Sequence, residues 1–258
     1  MTWKDGQITN CIWENGKLMY EGDLNDNGEP HGRGKKIYSD NSIYVGDIKS
    51  EMKNGTVTLK VSDVAVYEGE FKDGKRHGEG TYKWPDGSSY EGKWNDGKQD
   101  GRGICKYANG SVKYDGEYKD GKKNGKGTYY YDNGDVYEGE FRSNRSHGNG
   151  VMVYANQDKY EGDWKKGMKD GKGTMRYHNG NVFKGEFRKG KMHGKGVLEY
   201  AAGDIIKSVG EWKKGKRCGF FDETFRVVKR IYYEYGIDHN DDGDVSPHKR
   251  VKVCISPS

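Results

Sequence analysis

One position of a sequence period holds the side chains most able to bind a metal. Histidine, aspartate or asparagine occupies it at His31, His77, Asp100, Asn124, His147, Asp170 and His193. If each period adds two strands, histidine-bearing units lie roughly 19 Å or more apart, whereas zinc ligands lie about 2 Å from their ion. These histidines therefore cannot share one metal. The exchange of His, Asp and Asn instead predicts a hydrogen-bonding residue that caps a turn.

Other chemical motifs are weak or absent. The cysteines (Cys11, Cys105, Cys218 and Cys254) form no CxxC pair, which predicts reduced thiols. No Gly-Lys-Ser/Thr closes a phosphate loop, no GxGxxG occurs, and nothing singles out a nucleophile. We therefore predict a protein that is not an enzyme and has no cofactor and no structural metal.

An acidic stretch at 238–249 resembles a calcium-binding loop. It places oxygen ligands at alternate positions and a glycine at the sixth. Lys249 stands where a calcium loop needs a bidentate glutamate, and Pro247 interrupts the helix that would follow. A weak calcium site and a solvated acidic turn both stay open, and we favour the turn.

Composition predicts a folded chain with an unusual core. Hydrophobic residues make up 31% of the 258 residues, whereas 20 Tyr, 7 Phe, 6 Trp and 41 Gly are present. Disordered chains are poor in aromatic residues, so rings and glycines must replace aliphatic bulk. The net charge of +5 comes from 45 basic and 40 acidic side chains, which does not indicate nucleic-acid binding. No signal core and no apolar run long enough for a membrane span occur, so we expect a cytoplasmic protein.

Internal repetition determines the predicted architecture. The string Tyr-x-Gly-x-(aromatic or aliphatic) recurs at intervals of 23 to 25 residues, and a Gly-x-Gly follows most starts by eleven residues. The starts are Tyr20, Tyr44, Tyr67, Tyr90, Tyr114, Tyr137, Tyr160, Phe183 and a decayed copy at Ser208.

Each period predicts a β-hairpin. Residues 67–71 alternate two faces, an Asp-Gly turn follows, and residues 78–84 return. Glycine inside a strand usually weakens it, so the repeated glycines indicate a steric need. We predict that a ring from a neighbouring strand lies flat over each bare backbone, and that the hairpins stack because one hairpin cannot bury its own face.

These motifs resemble the MORN (membrane occupation and recognition nexus) repeat, over about residues 13–219. The resemblance implies an all-β, elongated single-sheet solenoid of stacked antiparallel β-hairpins with a concave groove. We assign 1–19 to a partial N-terminal repeat or cap, 20–219 to about eight or nine units, and 220–258 to a C-terminal capping segment and polar tail. The resemblance also implies a non-catalytic scaffold in cytoskeleton or cilium. Residues 20–34 resemble the opening unit of radial-spoke-head MORN proteins.

An aromatic ladder is the first candidate site. The last ring of each return strand falls in register, at Tyr38, Trp84, Tyr107, Tyr131, Tyr154, Tyr177 and Tyr200. Exposed aromatic residues are typical of binding hot spots. We therefore predict that these rings line a groove that holds a peptide or helix segment of a protein partner. Packing between neighbouring units is the alternative, and the two are compatible.

A basic edge at the first turns is the second candidate site. It predicts modest, salt-sensitive binding to acidic phospholipids, which would make the protein a peripheral membrane adaptor. A solvated edge is the competing interpretation. The MORN resemblance also allows a homodimer through a terminal unit. The edge residues are Lys122, Lys123, Lys165, Lys166, Lys189 and Lys214.

Overall fold

The computed structural model describes six stretches of the chain, namely 2–4, 7–39, 41–49, 52–61, 65–226 and 248–253. Within these stretches the chain consists of strands and turns without a helix, so the predicted all-β antiparallel fold is confirmed. Contacts divide the chain into two units, Met1–Tyr130 and Tyr131–Ser258. The acidic loop at 238–247, with most of the predicted C-terminal cap, lies outside the described residues.

The described residues of the first unit form twelve strands, and consecutive strands within the unit pair antiparallel. They are β1 (Thr2–Lys4), β2 (Gln7–Glu14), β3 (Lys17–Leu24), β4 (Pro30–Ile37), β5 (Ile43–Lys49), β6 (Met52–Val61), β7 (Ala65–Lys72), β8 (Lys75–Lys83), β9 (Ser89–Asn95), β10 (Lys98–Lys106), β11 (Val112–Lys119) and β12 (Lys122–Tyr130).

The described residues of the second unit form nine strands with the same pairing rule. The last one pairs antiparallel with β20, while a capping role for the whole C-terminal segment stays a prediction. The strands are β13 (Val136–Arg142), β14 (Arg145–Val153), β15 (Lys159–Lys165), β16 (Met168–Arg176), β17 (Val182–Arg188), β18 (Lys191–Glu199), β19 (Ile205–Lys213), β20 (Lys216–Phe225) and β21 (His248–Val253).

Two-residue turns join the two strands of most hairpins. In the β7–β8 hairpin, Asp73 and Gly74 have φ angles of 48° and 78°. Two left-handed residues define the turn that matches the twist of a hairpin. Ser143 and Asn144, which break the Asp-Gly pattern, adopt the same conformation with φ angles of 47° and 68°. The turn geometry therefore persists where its usual residues are lost.

The ring-on-glycine packing predicted from the sequence is confirmed at the second glycine of the Gly-x-Gly motif. It is wrong at the first glycine, since a Cβ added to Gly78 would meet the Glu70 carboxylate and not a ring. Tyr67 is fully buried, and its hydroxyl donates a hydrogen bond to the carbonyl oxygen of Glu70 at 3.0 Å. A Cβ added to Gly80 would lie 2.6 Å from Cζ of Tyr67. A side chain at position 80 would displace the ring, which explains the second glycine of the Gly-x-Gly motif. The same ring position is at most 1% exposed at Tyr20, Tyr44, Tyr67, Tyr90, Tyr114, Tyr137, Tyr160 and Phe183.

A second ring from the same strand joins one hairpin to the next. Tyr67 makes edge-to-face contacts with Phe71 in its own strand (centroids 5.1 Å apart) and with Trp94 of the following hairpin (5.5 Å). The indole Nε1 of Trp94 donates to the carbonyl oxygen of Gly80 at 3.0 Å. Such pairs stabilise by about 0.5–1.5 kcal/mol beyond area burial. Within each unit these rings form the buried core, which in other proteins consists mainly of aliphatic side chains.

Candidate functional site

The predicted aromatic ladder lies one residue beyond the return strands, at the start of the second turn of each unit. Trp84 shows the geometry: its backbone N–H donates to the Ser88 carbonyl oxygen at 2.9 Å, and its ring meets Tyr82 at 5.0 Å. Tyr131 is 39% exposed and the other six ladder rings are half-buried. The ladder therefore shares the side of the sheet that carries the buried rings, hereafter the ring face.

Cations lie directly on the ring face. The Arg76 guanidinium carbon is 4.2 Å from the centroid of Trp94 and 5.1 Å from that of Tyr82. The Lys123 Nζ is 3.9 Å from the centroid of Tyr129. Both basic residues come nine positions after a buried ring tyrosine. The residues at that position that are basic are here called the ring-face cations: Lys53, Arg76, Lys123, Lys169 and Arg217.

Burial alters the titration of three of these cations. It lowers the pKa of Lys123 to about 8, and nearby Lys113 acts in the same direction. Burial also lowers the pKa of Arg76 and that of Lys169, although Asp158 opposes the effect at Lys169. A desolvated cation beside aromatic rings gains from an anion that replaces lost water contacts. The ring face is thus suited to an anionic group that arrives with apolar surface.

Within the described residues, a shallow depression opens on the ring face of each unit. The first, of about 380 Å³, is lined by Tyr67, Phe71, Gly74, Lys75, Arg76, Tyr82 and Gly97. The second, of about 440 Å³, is lined by Asp135, Tyr154, Ala155, Asn156, Asp158, Lys169 and Met175. Each combines aromatic rings with a ring-face cation, but only the second has carboxylates in its lining.

The structure separates one residue from the predicted basic edge. Lys123 lies half-buried on the ring face, whereas the other five edge lysines are exposed at or beside the first turns. Three of these five, Lys166, Lys189 and Lys214, stand at the first turn position with φ angles of 53°, 49° and 51°. Other lysines along the same turns pair with aspartates, as Lys119 does with Asp100 at 3.0 Å, and such pairs dilute the edge charge.

The turn-capping prediction for the His/Asp/Asn position is confirmed at Asp100 and Asp170, and Asn54 does the same at the equivalent position of the β5–β6 hairpin. Side-chain oxygens of Asn54, Asp100 and Asp170 accept hydrogen bonds from backbone N–H groups one unit later, at 3.1 to 3.3 Å. These bonds link successive hairpins. Within the described part of the chain, no three His, Cys, Asp or Glu side chains converge on a point that could hold a metal.

The recurring carboxylates of the other face also have a structural task. The Glu70 side chain accepts a hydrogen bond from the Glu79 backbone N–H at 3.0 Å, beside the left-handed Gly78 (φ 59°). Glu140 does the same for the N–H of Asn149 at 3.1 Å. Acids at this position cap the irregular step in several hairpins, whereas the β9–β10 hairpin has Lys93 there.

Sequence reasoning missed a polar cluster in the last hairpin. Glu223 is 4% exposed and accepts from Arg217 at 2.5 Å and from the hydroxyl of Ser208 at 3.2 Å. The signal available in the sequence was the pair of departures from the repeat, a serine at the ring position and a glutamate where most other repeats carry Tyr, Met or Leu.

Stacked hairpins that repeat one ring-on-glycine unit define a β-repeat protein. The family model of the MORN repeat matches eight stretches, which together cover more than half of the chain, so the chain belongs to the MORN-repeat family. The unmatched residues 44–66 still contribute the β5–β6 hairpin. The matched stretches are 20–43, 67–89, 90–112, 114–136, 137–159, 160–182, 183–205 and 209–220.

Solved structures give distant likenesses. The chain is 10% identical to the TCP10 domain of Danio rerio CPAP in complex with a peptide of STIL, over 79% of this chain and 93% of that one, with a TM-score of 0.41. It is 11% identical to the TCP domain of Drosophila melanogaster SAS-4 in complex with a proline-rich motif of Ana2, over 82% and 95%, with a TM-score of 0.28. No curated protein matches the chain. Among the described residues, no helix has the length and apolarity that a bilayer crossing requires.

Proposed function

We propose that this protein is a non-catalytic scaffold that holds a segment of a protein partner on its ring face. The observation that carries the proposal is the pairing of half-exposed ladder rings with desolvated cations, as where Lys169 lies 5.4 Å from the Tyr154 ring centroid. Aromatic residues and arginine dominate binding hot spots. A repeat of such pairs offers a segment several contacts in succession.

The ladder rings are suited to contact a ligand because part of each ring is exposed to solvent. The Tyr107 hydroxyl donates to the Tyr130 carbonyl oxygen at 2.7 Å, and Lys113 lies 4.8 Å from its ring centroid. These contacts fix the orientation of the ring before a ligand arrives, which lowers the entropic cost of binding. The ladder is thereby both a packing element and a binding surface.

Selection from a display library of random linear peptides tests the proposal. The double variant Trp84→Ser/Tyr107→Ser removes the ladder rings of two successive hairpins in the first unit. Tyr130→Ser is the matched control, because Tyr130 is 40% exposed and follows Tyr129 on the opposite face. We expect peptides enriched on the native chain to lose binding to the double variant and to keep it with the control. Equal binding to all three folded chains would refute the ring face as the site.

The assembly in which the scaffold acts is a further part of the proposal. The resemblance of residues 20–34 to the opening unit of radial-spoke-head proteins supports a cytoskeletal or ciliary location. Imaging of a tagged chain in ciliated cells tests this part, and a signal spread evenly through the cytoplasm would contradict it.

A second candidate function is that of a peripheral membrane adaptor. Its specific support is the placement of Lys166, Lys189 and Lys214 at one turn position of three successive hairpins in the second unit. Cosedimentation with vesicles containing phosphatidylserine, over a series of salt concentrations, tests it. Binding that does not depend on the anionic lipid would exclude this role.

A further inference from the structure

The position nine residues after the buried ring alternates in charge along the chain. From residue 76 onward, a basic residue and a neutral residue take turns at each successive hairpin. A solvated surface has no reason to alternate with a two-hairpin period. From the Tyr44 hairpin onward, the residues nine positions after the ring position, which is Ser208 in the last case, are Lys53, Arg76, Gln99, Lys123, Ser146, Lys169, Met192 and Arg217.

The first unit contains the cleanest part of this pattern. Arg76, Gln99 and Lys123 are all half-buried at equivalent places on the ring face. The depression around Arg76 has no carboxylate in its lining. The charged neighbour with the largest effect on Lys123 is another cation, Lys113. The Arg76 depression thus favours an incoming anion, and Lys113 adds positive charge near Lys123.

Two of the ring-face cations are less suited to bind an outside anion. Arg217 already holds Glu223 at 2.5 Å, and the depression at Lys169 includes Asp135 and Asp158. Charge complementarity therefore favours the first unit. A lipid surface is less well matched, because the cations lie among rings on a sheet face and not at the turn edge.

We propose that the ring face of the first unit binds an acidic peptide segment, whose aspartate or glutamate side chains meet Arg76 and Lys123 while its apolar side chains pack on the ladder rings. This inference rests on the proposed scaffold function and names its class of partner. Arg76 lies in β8 and Lys123 in β12, four strand spacings or about 19 Å apart. An extended peptide crossing the strands would cover that distance with about six residues.

Single substitutions in the full chain test the inference with the same peptide library. Arg76→Met and Lys123→Met remove one cation each, and Met192 shows that this position accepts methionine. Lys122→Met is the matched control, since Lys122 precedes Lys123 in β12 but is exposed on the other face. We expect the enriched peptides to be acidic, with carboxylates about six residues apart. Their affinity should fall about tenfold with each ring-face variant and less than twofold with Lys122→Met.

Adding a charge gives the opposite test. Gln99→Lys places a third cation between the two, and we expect it to increase the affinity of the acidic peptides severalfold. Folding of every variant is checked by near-ultraviolet circular dichroism, which reports the ring packing directly.

Three other outcomes would overturn the inference. The first is that the enriched peptides depend on Trp84 and Tyr107 and yet are neutral or basic, or bind the Arg76 and Lys123 variants with unchanged affinity. Either result would support the scaffold function and refute the acidic partner. If no ring-dependent peptide is enriched, both proposals fail. If only phosphatidylserine vesicles lose binding in the Lys123 variant, the anion belongs to a lipid headgroup.

Discussion

Hairpins β15–β16 and β19–β20 both cover a strand glycine with an aromatic ring, but they place the ring on opposite strands. In β15–β16, Tyr160 of the first strand lies over Gly173 of the second, where an added Cβ would be 2.5 Å from Cε2 of the ring. In β19–β20, Ser208 stands at the tyrosine position and Phe221 at the glycine position. The Phe221 ring covers Gly210, where an added Cβ would lie 2.6 Å from Cδ1.

The exchange leaves a space that polar groups fill. Glu223 and Arg217 pair beside Ser208, where the regular hairpin has Met175 and Lys169. The edge-to-face contacts between the buried rings nevertheless continue, because Trp212 meets Phe221 at 5.5 Å. What the fold requires of each hairpin is thus one ring and one bare backbone in contact, and either strand can supply the ring.

A double-mutant cycle at Ser208 and Phe221 tests whether one ring replaces the other, and we expect it to give the largest effect on stability. Phe221→Gly removes the ring that covers Gly210 and should lower the free energy of unfolding by about 3–5 kcal/mol. Ser208→Tyr adds a ring to an occupied space and should cost about 1–3 kcal/mol. The double variant recreates the regular arrangement, so its loss should be smaller than the sum by about 2 kcal/mol or more.

Urea unfolding, with hydrogen exchange of the β19 and β20 amides, measures the cycle. The exchange data are needed because a repeat protein can unfold in parts. Additive effects would show that the two ring positions are independent, and that Phe221 does not compensate for the ring missing at Ser208.

Substitution of a glycine that a ring covers should have an intermediate effect on the free energy of unfolding. Gly173→Ala directs a methyl group into the Tyr160 ring, and we expect a loss of about 2–3 kcal/mol in the free energy of unfolding. Gly167→Ala is the control, because a Cβ there meets only one atom, at 4.0 Å, but its φ is 85°. The left-handed backbone alone should cost about 1 kcal/mol. A larger loss at Gly167, measured by urea unfolding, would mean that conformation and not ring contact selects these glycines.

The sequence predicts the repeat well because its period, turns and ring-on-glycine contacts are local. It could also have separated Lys122 from Lys123, since adjacent strand residues face opposite sides; counting charges along the turn hid this. The role of Phe221 was not accessible in the same way. It depends on the register in which Gly210 pairs with Phe221, and that register shifts between Gly210 and Glu211. A decayed repeat indicates a change of packing without showing which ring replaces the lost one.

The smallest predicted effect concerns the position that carries Lys169 in the regular hairpin and Arg217 in the last. Glu223 compensates the charge of Arg217, whereas burial lowers the pKa of Lys169. A lysine whose pKa is lowered by folding reduces stability wherever the unfolded chain holds its proton. The cost is complete at neutral pH, shrinks as the pH rises above the folded pKa, and ends above the unfolded value of 10.5.

Lys169→Met should therefore stabilise the protein at pH 7, by less than about 1 kcal/mol because solvent screens a half-exposed charge. The lost cation–ring contacts are weak, because they span 5.3 to 5.7 Å and the interaction ends near 6 Å. Thermal unfolding from pH 7 to 10.5 measures the gain, which should disappear at the upper end. Lys165→Met, at an exposed position of the same hairpin, should change little at any pH. A destabilised Lys169→Met chain would mean that the rings bind the cation more strongly than burial penalises it, and the ring face would then be satisfied without a ligand.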